Sequence, residues 1–380
     1  MPKRAAKAAR KNAPLALLLQ FLYGAALGLC GMHCLVDAVE ASASFGQYLF
    51  CVAWMLCVLA ASAFLQILLH EGGHLVCGLC TGYRFVSFRI GSWMVQRENG
   101  RLKVHRYTLS GTAGQCLLAP PEMQDGKMPY KIYNLGGVLF NLLAALVSIL
   151  LAGLCRDVCA AKAFFELLAI TGIGFAVTNG IPLRAQGVAN DGANARDLGK
   201  DPAALRAFWV QLSVNAQQAE GVPLREMPAE WFTLPTEGLD NIMVAAQAVL
   251  HANRLMDEQR FEETARAIDA LDAQNSALLP LHRNLLLCDR LTCALFTGED
   301  TAALLQRWNS REMKTFRKQM GTFLAVLRTE YLAALLVEHD AAKAEVFHQK
   351  FEQRAKTYPY TAETASERAL LERGRQKAEA

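Results

Sequence analysis

Four segments of the chain are apolar over lengths that could span a bilayer, and they constrain its fold more than any other feature. A helix needs about 20 consecutive apolar residues to cross the hydrocarbon core, because backbone polar groups find no water there. The four segments are residues 14–37, 47–69 with a helical continuation toward residue 83, 132–154 and 163–182. The sequence therefore predicts a mainly α-helical, polytopic membrane protein with about four transmembrane helices.

The second half of the chain differs in composition. Residues 196–380 mix Lys, Arg, Glu and Asp with periodic Ala and Leu, as the amphipathic helices of soluble domains do. Turns are expected near Gln259, Asp300 and Asp340, which would separate three helix pairs rich in Ala and Leu. Their regular spacing leaves two interpretations open, tetratricopeptide-like hairpins or an irregular helical bundle.

Basic residues are unevenly distributed among the segments that connect the spans. They cluster at the start of the chain and again between the second and third spans, whereas residues 38–46 contain no Lys or Arg. Because basic loops stay on the cytoplasmic side, both termini of this multi-pass protein of the cell membrane are expected in the cytoplasm. A cleaved signal peptide is the alternative for the first apolar segment, but that segment is longer than a usual signal sequence. We expect a basic cytoplasmic arm, a transmembrane core and a cytoplasmic helical domain at residues 1–13, 14–195 and 196–380.

Charge and cysteine content exclude two other classes of protein. A net charge of +4 is too small for a general nucleic-acid-binding protein. The eleven cysteines are an odd number in a chain of this length and do not indicate a disulfide framework. Cys77 and Cys80 form a single C-x-x-C, which is compatible with redox chemistry or a second metal site, but no second pair with zinc-ribbon spacing follows. Packing between apolar helices explains these cysteines better.

Residues 84–118 do not have a helical pattern. Apolar and polar residues alternate there, as in half-buried strands, and the turn signal Glu98-Asn99-Gly100 interrupts them. A small membrane-associated β-sheet is therefore expected between the second and third spans.

The second apolar segment ends in His70-Glu71-Gly72-Gly73-His74, an H-E-x-x-H motif on a predicted helix. Residues four apart share a helical face, so both imidazoles can bind one Zn²⁺ while the carboxylate of Glu71 acts as general base toward a water. Two solvated histidines on a polar helix are the alternative. It fits poorly, because residues 48–69 carry no formal charge and ionisable groups are costly in such surroundings.

A catalytic zinc site needs a third protein ligand, and Asp191 is the candidate. It follows the fourth span, after the helix-breaking Pro182 and before Gly192, which permits a turn. An ordinary turn rich in Asn and Asp, formed where the chain leaves the membrane, is the alternative. Spacing alone leaves both open.

Three motifs in this order resemble those of the site-2 protease family of intramembrane metalloproteases. They are H-E-x-x-H on a transmembrane helix, G-G-x-x-x-N (Gly136, Gly137, Asn141) on a later helix, and an N-x-x-P…D-G segment, and they lie within about residues 45–195. The resemblance implies that His70, His74 and Asp191 bind zinc and that Glu71 is the catalytic base. It also implies that Asn141 and Asn179 line the site or hold the substrate strand.

One departure from the family's pattern concerns the last motif. Pro182 and Asp191 enclose more residues than in the family, a surplus of about one helical turn. The surplus makes Asn190 an alternative to Asn179 for the polar role.

The resemblance implies hydrolysis of peptide bonds in or near transmembrane segments of membrane-protein substrates within the lipid bilayer. A substrate helix must unwind before cleavage, and its freed backbone groups would pair with an edge of the sheet. The C-terminal helices are expected to bind a protein partner. A catalytically silent membrane adaptor with a helical-repeat interaction domain is the main alternative. A transporter or channel is a second, disfavoured by the lack of repeated broken helices.

Overall fold

The computed structural model describes residues 18, 21–33, 36, 44–98, 100–108, 112–155, 158–185, 187–234, 238–274 and 276–380. The predicted basic arm, residues 1–13, lies outside the described residues. The chain forms two compact units, which we call the apolar unit and the helical unit. In their described parts, the apolar unit comprises residues up to 92 together with 109–202, and the helical unit comprises 93–108 and 203–380.

Long apolar helices make up most of the apolar unit: α1 (Phe21–His33), α2 (Phe45–Cys80), α3 (Tyr130–Leu154) and α4 (Cys159–Gly180). Helices α2, α3 and α4 are long and apolar enough to cross a membrane. The described part of the first predicted span, α1, is shorter, and the rest of that prediction falls outside the described residues. A short helix, α5 (Asp191–Asp197), follows α4.

The face that α3 turns inward is lined by small and polar residues, including Gly137, Ala145 and Ser148. Its leucines point outward and are exposed, among them Leu143 and Leu150. This arrangement is the reverse of that in a water-soluble helix and is the one expected when lipid surrounds the bundle, where small residues allow close helix contact.

Four short strands lie between α2 and α3, where a small sheet was predicted: β1 (Arg84–Ile90), β2 (Trp93–Glu98), β3 (Arg101–Arg106) and β4 (Gly114–Ala119). All pair antiparallel, β1 with β4 and β2 with β3. The first pair belongs to the apolar unit and the second to the helical unit. The prediction of a mainly α-helical chain with a small sheet and a helical C-terminal region is confirmed, whereas the division of the strands between two units was not predicted.

Within the described residues, the α-helices of the helical unit are α6 (Pro202–Ala219), α7 (Ile242–Asp257), α8 (Phe261–Ala273), α9 (Pro280–Thr297), α10 (Ala302–Trp308), α11 (Arg311–Gln319), α12 (Leu324–Leu336), α13 (Ala341–Ala355) and α14 (Thr361–Glu379). Each predicted turn separates two helices: Gln259 has a positive φ between α7 and α8, Asp300 precedes α10, and Asp340 caps α13. The helix pair around Asp300 is irregular, because two short helices, α10 and α11, follow α9 where a single helix was expected.

A buried ion-pair network fixes three helices of this unit. The guanidinium of Arg328 on α12 lies 2.7 Å from Asp289 on α9 and 2.9 Å from Glu367 on α14. Burial raises the pKa of Glu367 to about 7, although Arg328 opposes the shift. The β2–β3 hairpin packs on the same unit, where the side chain of Gln96 donates to the carbonyls of Ala219 and Pro359.

The division of the chain predicts which part can be removed. A variant that lacks residues 203–380, and in which residues 93–108 are replaced by a short glycine linker, should fold and bind metal, because the predicted zinc ligands His70, His74 and Asp191 all belong to the apolar unit. The linker can close because Gly91 and Ala113 are hydrogen-bonded across the gap at 2.8 Å. Zinc analysis of the purified variant checks this, and a folded variant without zinc would contradict it. The matched control removes residues 203–380 alone, which strips the buried face of the hairpin and should aggregate more.

Candidate metal centre

Helix α2 carries both histidines of the motif without interruption. His70 and His74 are almost completely buried, and their Nε2 atoms lie 3.2 Å apart. Gly73, between them, packs directly on Gly136 of α3, where a Cβ on either residue would collide with the backbone of the other. A Cβ on Gly137 would lie 2.5 Å from the His70 ring. The two consecutive glycines of α3 therefore make room for the backbone of α2 and for one of its imidazoles.

Asp191 is brought to the histidines at the start of α5. Its Oδ2 lies 3.1 Å from Nε2 of His70 and 3.4 Å from Nε2 of His74. Burial raises the pKa of this carboxyl, whereas hydrogen bonds and positive charge from protonated imidazoles beside it would lower the pKa to about 2. The three residues form the one group of at least three potential metal-binding side chains within the described residues.

The surplus residues between Pro182 and Asp191 form a small hairpin. Strands β5 (Arg184–Ala185) and β6 (Val188–Ala189) pair antiparallel, and Leu183 and Asn190 are hydrogen-bonded at their base. The extra length is thus looped out, and Asp191 stays near the end of α4.

Asn190 organises this turn, and Asn179 does not. The Oδ1 of Asn190 accepts from the backbone N–H groups of Leu183 and Ala193, and its amide donates to the carbonyls of Thr178 and Ile181. All its hydrogen-bonding groups therefore serve to hold the start of α5.

Asn179 lies in the last turn of α4. Its amide donates to the carbonyl of Phe175 in the same helix, at 3.0 Å. Among the described hydrogen bonds, none links Asn179 to the three clustered residues. Its predicted contact with substrate stays a prediction.

Hydrogen bonds fix the tautomer of each histidine. Nδ1 of His74 lies 2.8 Å from the backbone carbonyl of Tyr133, which can only accept, so this nitrogen carries the proton. Nδ1 of His70 lies 2.7 Å from Oδ1 of Asn141. Reversal of the Asn141 amide is opposed by two acceptors, because its Nδ2 lies 2.9 Å from the backbone carbonyl of Gln66 and 2.7 Å from Oε1 of the same residue. In both neutral rings, Nε2 therefore presents a lone pair to Asp191.

The three converging atoms fit a tetrahedral zinc site. Ligands about 2.0–2.2 Å from a tetrahedral zinc lie about 3.3–3.6 Å from one another. Of the three separations here, 3.4 Å lies within this range, and 3.1 and 3.2 Å lie just below it. Two imidazole nitrogens and one carboxylate oxygen are also a donor set that zinc accepts in catalytic sites. Without a cation or a shared proton, three electron pairs would face each other in apolar surroundings.

Glu71 lies between the two histidines in sequence and faces strand β4. A Cβ on Gly114 would lie 2.8 Å from Oε1 of Glu71, so β4 has a glycine where this carboxylate sits. The proposed base is therefore next to a strand edge as well as next to the clustered ligands.

Two residues next to His70, Asn141 and Gln66, have contacts that the sequence did not suggest. Asn141 is fully buried, and its amide is used completely by His70 and Gln66, so contact with a substrate would require these bonds to break. Gln66 itself was missed. Its signal was visible, because it is the one amide within residues 48–69 and precedes His70 by one helical turn.

Comparisons of the chain with protein-family models, with curated proteins and with solved structures find no match. Among the features of the described residues, the cluster of His70, His74 and Asp191 restricts the possible functions of the chain most.

The geometry predicts one zinc ion per chain. His74→Ala and Asp191→Ala should each lower zinc retention strongly, because two remaining ligands cannot complete the site. Cys77→Ser is the matched control on the same helix, and zinc content should not change in it. Metal analysis after chelator-free purification checks the three variants. Loss of zinc in Cys77→Ser, or full retention in Asp191→Ala, would contradict the assignment.

Proposed function

We propose that this chain is an intramembrane zinc metalloprotease that resembles the site-2 protease family. It would hydrolyse peptide bonds in or near transmembrane segments of membrane proteins. The observation that carries the proposal is the convergence of two imidazoles and a carboxylate within apolar helices, with a further carboxylate, Glu71, beside them. A hydrolytic site inside a bundle of apolar helices suits substrates that reach it from the bilayer.

The residues divide the reaction between them. His70, His74 and Asp191 would hold a zinc ion, which supplies a Lewis acid for the scissile carbonyl and lowers the pKa of a water. Glu71 accepts the proton of the attacking water and passes it to the leaving amine. Asn141 and Tyr133 hold the imidazoles in the required tautomer.

Strand β4 supplies a place for the unwound substrate. A substrate segment loses its helical hydrogen bonds before cleavage and needs new ones in the bilayer. We place it along β4 near Gly114 and Gln115, which are half-buried, unlike the fully covered remainder of the strand. The close contact between Gly114 and Glu71 would bring the scissile bond to the base. Addition of a strand to a sheet edge is a common way to bind extended peptides.

Water would reach the site from the cytoplasmic side. His74 precedes the last residue of α2, Cys80, by six residues, or about 9 Å along the helix. The basic residues that follow α2 assign this end to the cytoplasm. The protein would then lie in the cell membrane as a multi-pass protein with both termini inside. The helical unit would bind a partner or substrate, since the described part of this unit contributes no ligand.

The orientation can be tested with paired reporters. A reporter fused after Ala380 should report the cytoplasm, and one inserted between α3 and α4, at residues 156–157, should report the opposite side. Activity of a periplasmic or extracellular reporter at Ala380 would contradict the proposed direction of water access.

Glu71→Gln should retain zinc and lower cleavage by at least about 10²-fold, because the amide has nearly the same size but cannot accept a proton. The matched control is Glu166→Gln on α4, outside the cluster, which should cleave normally. Fragments of membrane proteins are compared by proteomics in cells that carry each variant. Identical fragments from the natural chain and Glu71→Gln would exclude the protease and favour the adaptor, as would purified natural protein without zinc.

A further inference from the structure

Gln66 is a polar residue in a place where polar residues are costly. It lies on α2 one turn before His70, and its side chain is fully buried. Burial of an amide among apolar helices is unfavourable unless its polar groups are hydrogen-bonded. Its hydrogen bonds therefore indicate why the position is occupied by an amide.

Two hydrogen bonds fix the orientation of the Gln66 amide. Its Nε2 donates to the carbonyl of Leu168 on α4 at 3.0 Å. Because this carbonyl can only accept, Oε1 has to face the other way. There it accepts from Nδ2 of Asn141 on α3 at 2.7 Å. The side chain of Gln66 thus links α4 to α3.

The bond to Asn141 continues to the metal centre. Both amide hydrogens of Asn141 go to Gln66, one to the backbone carbonyl and one to the side chain. The Oδ1 of Asn141 is then left facing Nδ1 of His70. The chain of bonds runs from Leu168 through Gln66 and Asn141 to His70, and each step is forced by a group that only accepts.

The opposing helix leaves space for this amide. A Cβ on Gly172 of α4 would lie 2.6 Å from Nε2 of Gln66. Helix α4 therefore has a glycine where the amide reaches Leu168. Ser62 lies one turn earlier on α2 and is equally buried, but its hydroxyl has no hydrogen-bond partner within the described residues. Ser62 is therefore a residue of the same helix that is buried like Gln66 but has no hydrogen bond leading to His70 within the described residues.

We propose that Gln66 is a positioning residue of the metal centre. Through Asn141 it holds His70 in the tautomer that presents Nε2 to the metal. The inference rests on the proposed function only as far as the metal is concerned, because the tautomer of His70 is a property of the metal-free chain as well.

The test compares Gln66→Met, Gln66→Glu and Ser62→Ala in the full chain. Methionine keeps the volume but makes neither hydrogen bond, whereas glutamate keeps an oxygen that accepts from Asn141. Zinc affinity, measured by competition with a chelator, should fall about ten-fold in Gln66→Met. It should fall less in Gln66→Glu and stay unchanged in Ser62→Ala. The ¹⁵N chemical shifts of His70 in metal-free protein should indicate the Nδ1–H tautomer, and the fraction of this tautomer should be smaller in Gln66→Met, where only the backbone carbonyl of residue 66 still accepts from Asn141.

Unchanged affinity and unchanged His70 shifts in Gln66→Met would overturn the proposal. So would a larger loss in Gln66→Glu than in Gln66→Met, which is the result that a packing role alone predicts. Should Gln66→Met fail to fold, Gly172→Ala displaces the amide without removing it and has to weaken zinc binding in the same direction. A natural chain that binds no zinc would refute the proposed function, while the ¹⁵N shifts would still decide the role of Gln66.

Discussion

Three electron-pair donors converge within 3.4 Å of one another among apolar helices, and the rest of the apolar unit is arranged around them. Two neutral imidazoles and a carboxylate in this position repel each other unless a positive charge lies between them. The chain holds them together nevertheless. Hydrogen bonds on the far side of each imidazole, to Tyr133 and Asn141, prevent the rings from turning away. A cation makes this arrangement favourable, and a donor set of two nitrogens and one oxygen suits zinc.

Close helix contacts bring these groups together. The backbone of α2 touches that of α3 at Gly73 and Gly136, and α5 begins against the end of α4 through Gly192. Glycine at these positions costs helix propensity in water, but in a membrane it allows the approach that places ligands from separate helices on one point. Strand β4 approaches Glu71 in the same way, because Gly114 has no side chain and leaves space for the Glu71 carboxylate.

Much of this could be predicted from local patterns, and the remainder depends on contacts between distant segments. Apolar length, strand alternation and the H-E-x-x-H spacing are local, so the long helices, a small sheet and the pair of histidines could be predicted from the sequence. The proximity of Asp191 depended on whether the surplus after Pro182 forms a hairpin, which spacing cannot decide. Asn190 competed with Asn179 for the same reason, and only the bonds around each distinguish them. Gln66 was conspicuous in composition, but its partners come from two other helices.

X-ray absorption at the zinc edge of the purified full chain identifies the atoms that bind the metal. With His70, His74 and Asp191 as ligands, we expect a first shell of nitrogen and oxygen at about 2.0–2.1 Å with the outer scattering of two imidazoles, and no sulfur. A sulfur shell at about 2.3 Å would assign the metal to Cys77 and Cys80. That result, or the absence of bound zinc, would contradict a catalytic centre built from His70, His74 and Asp191.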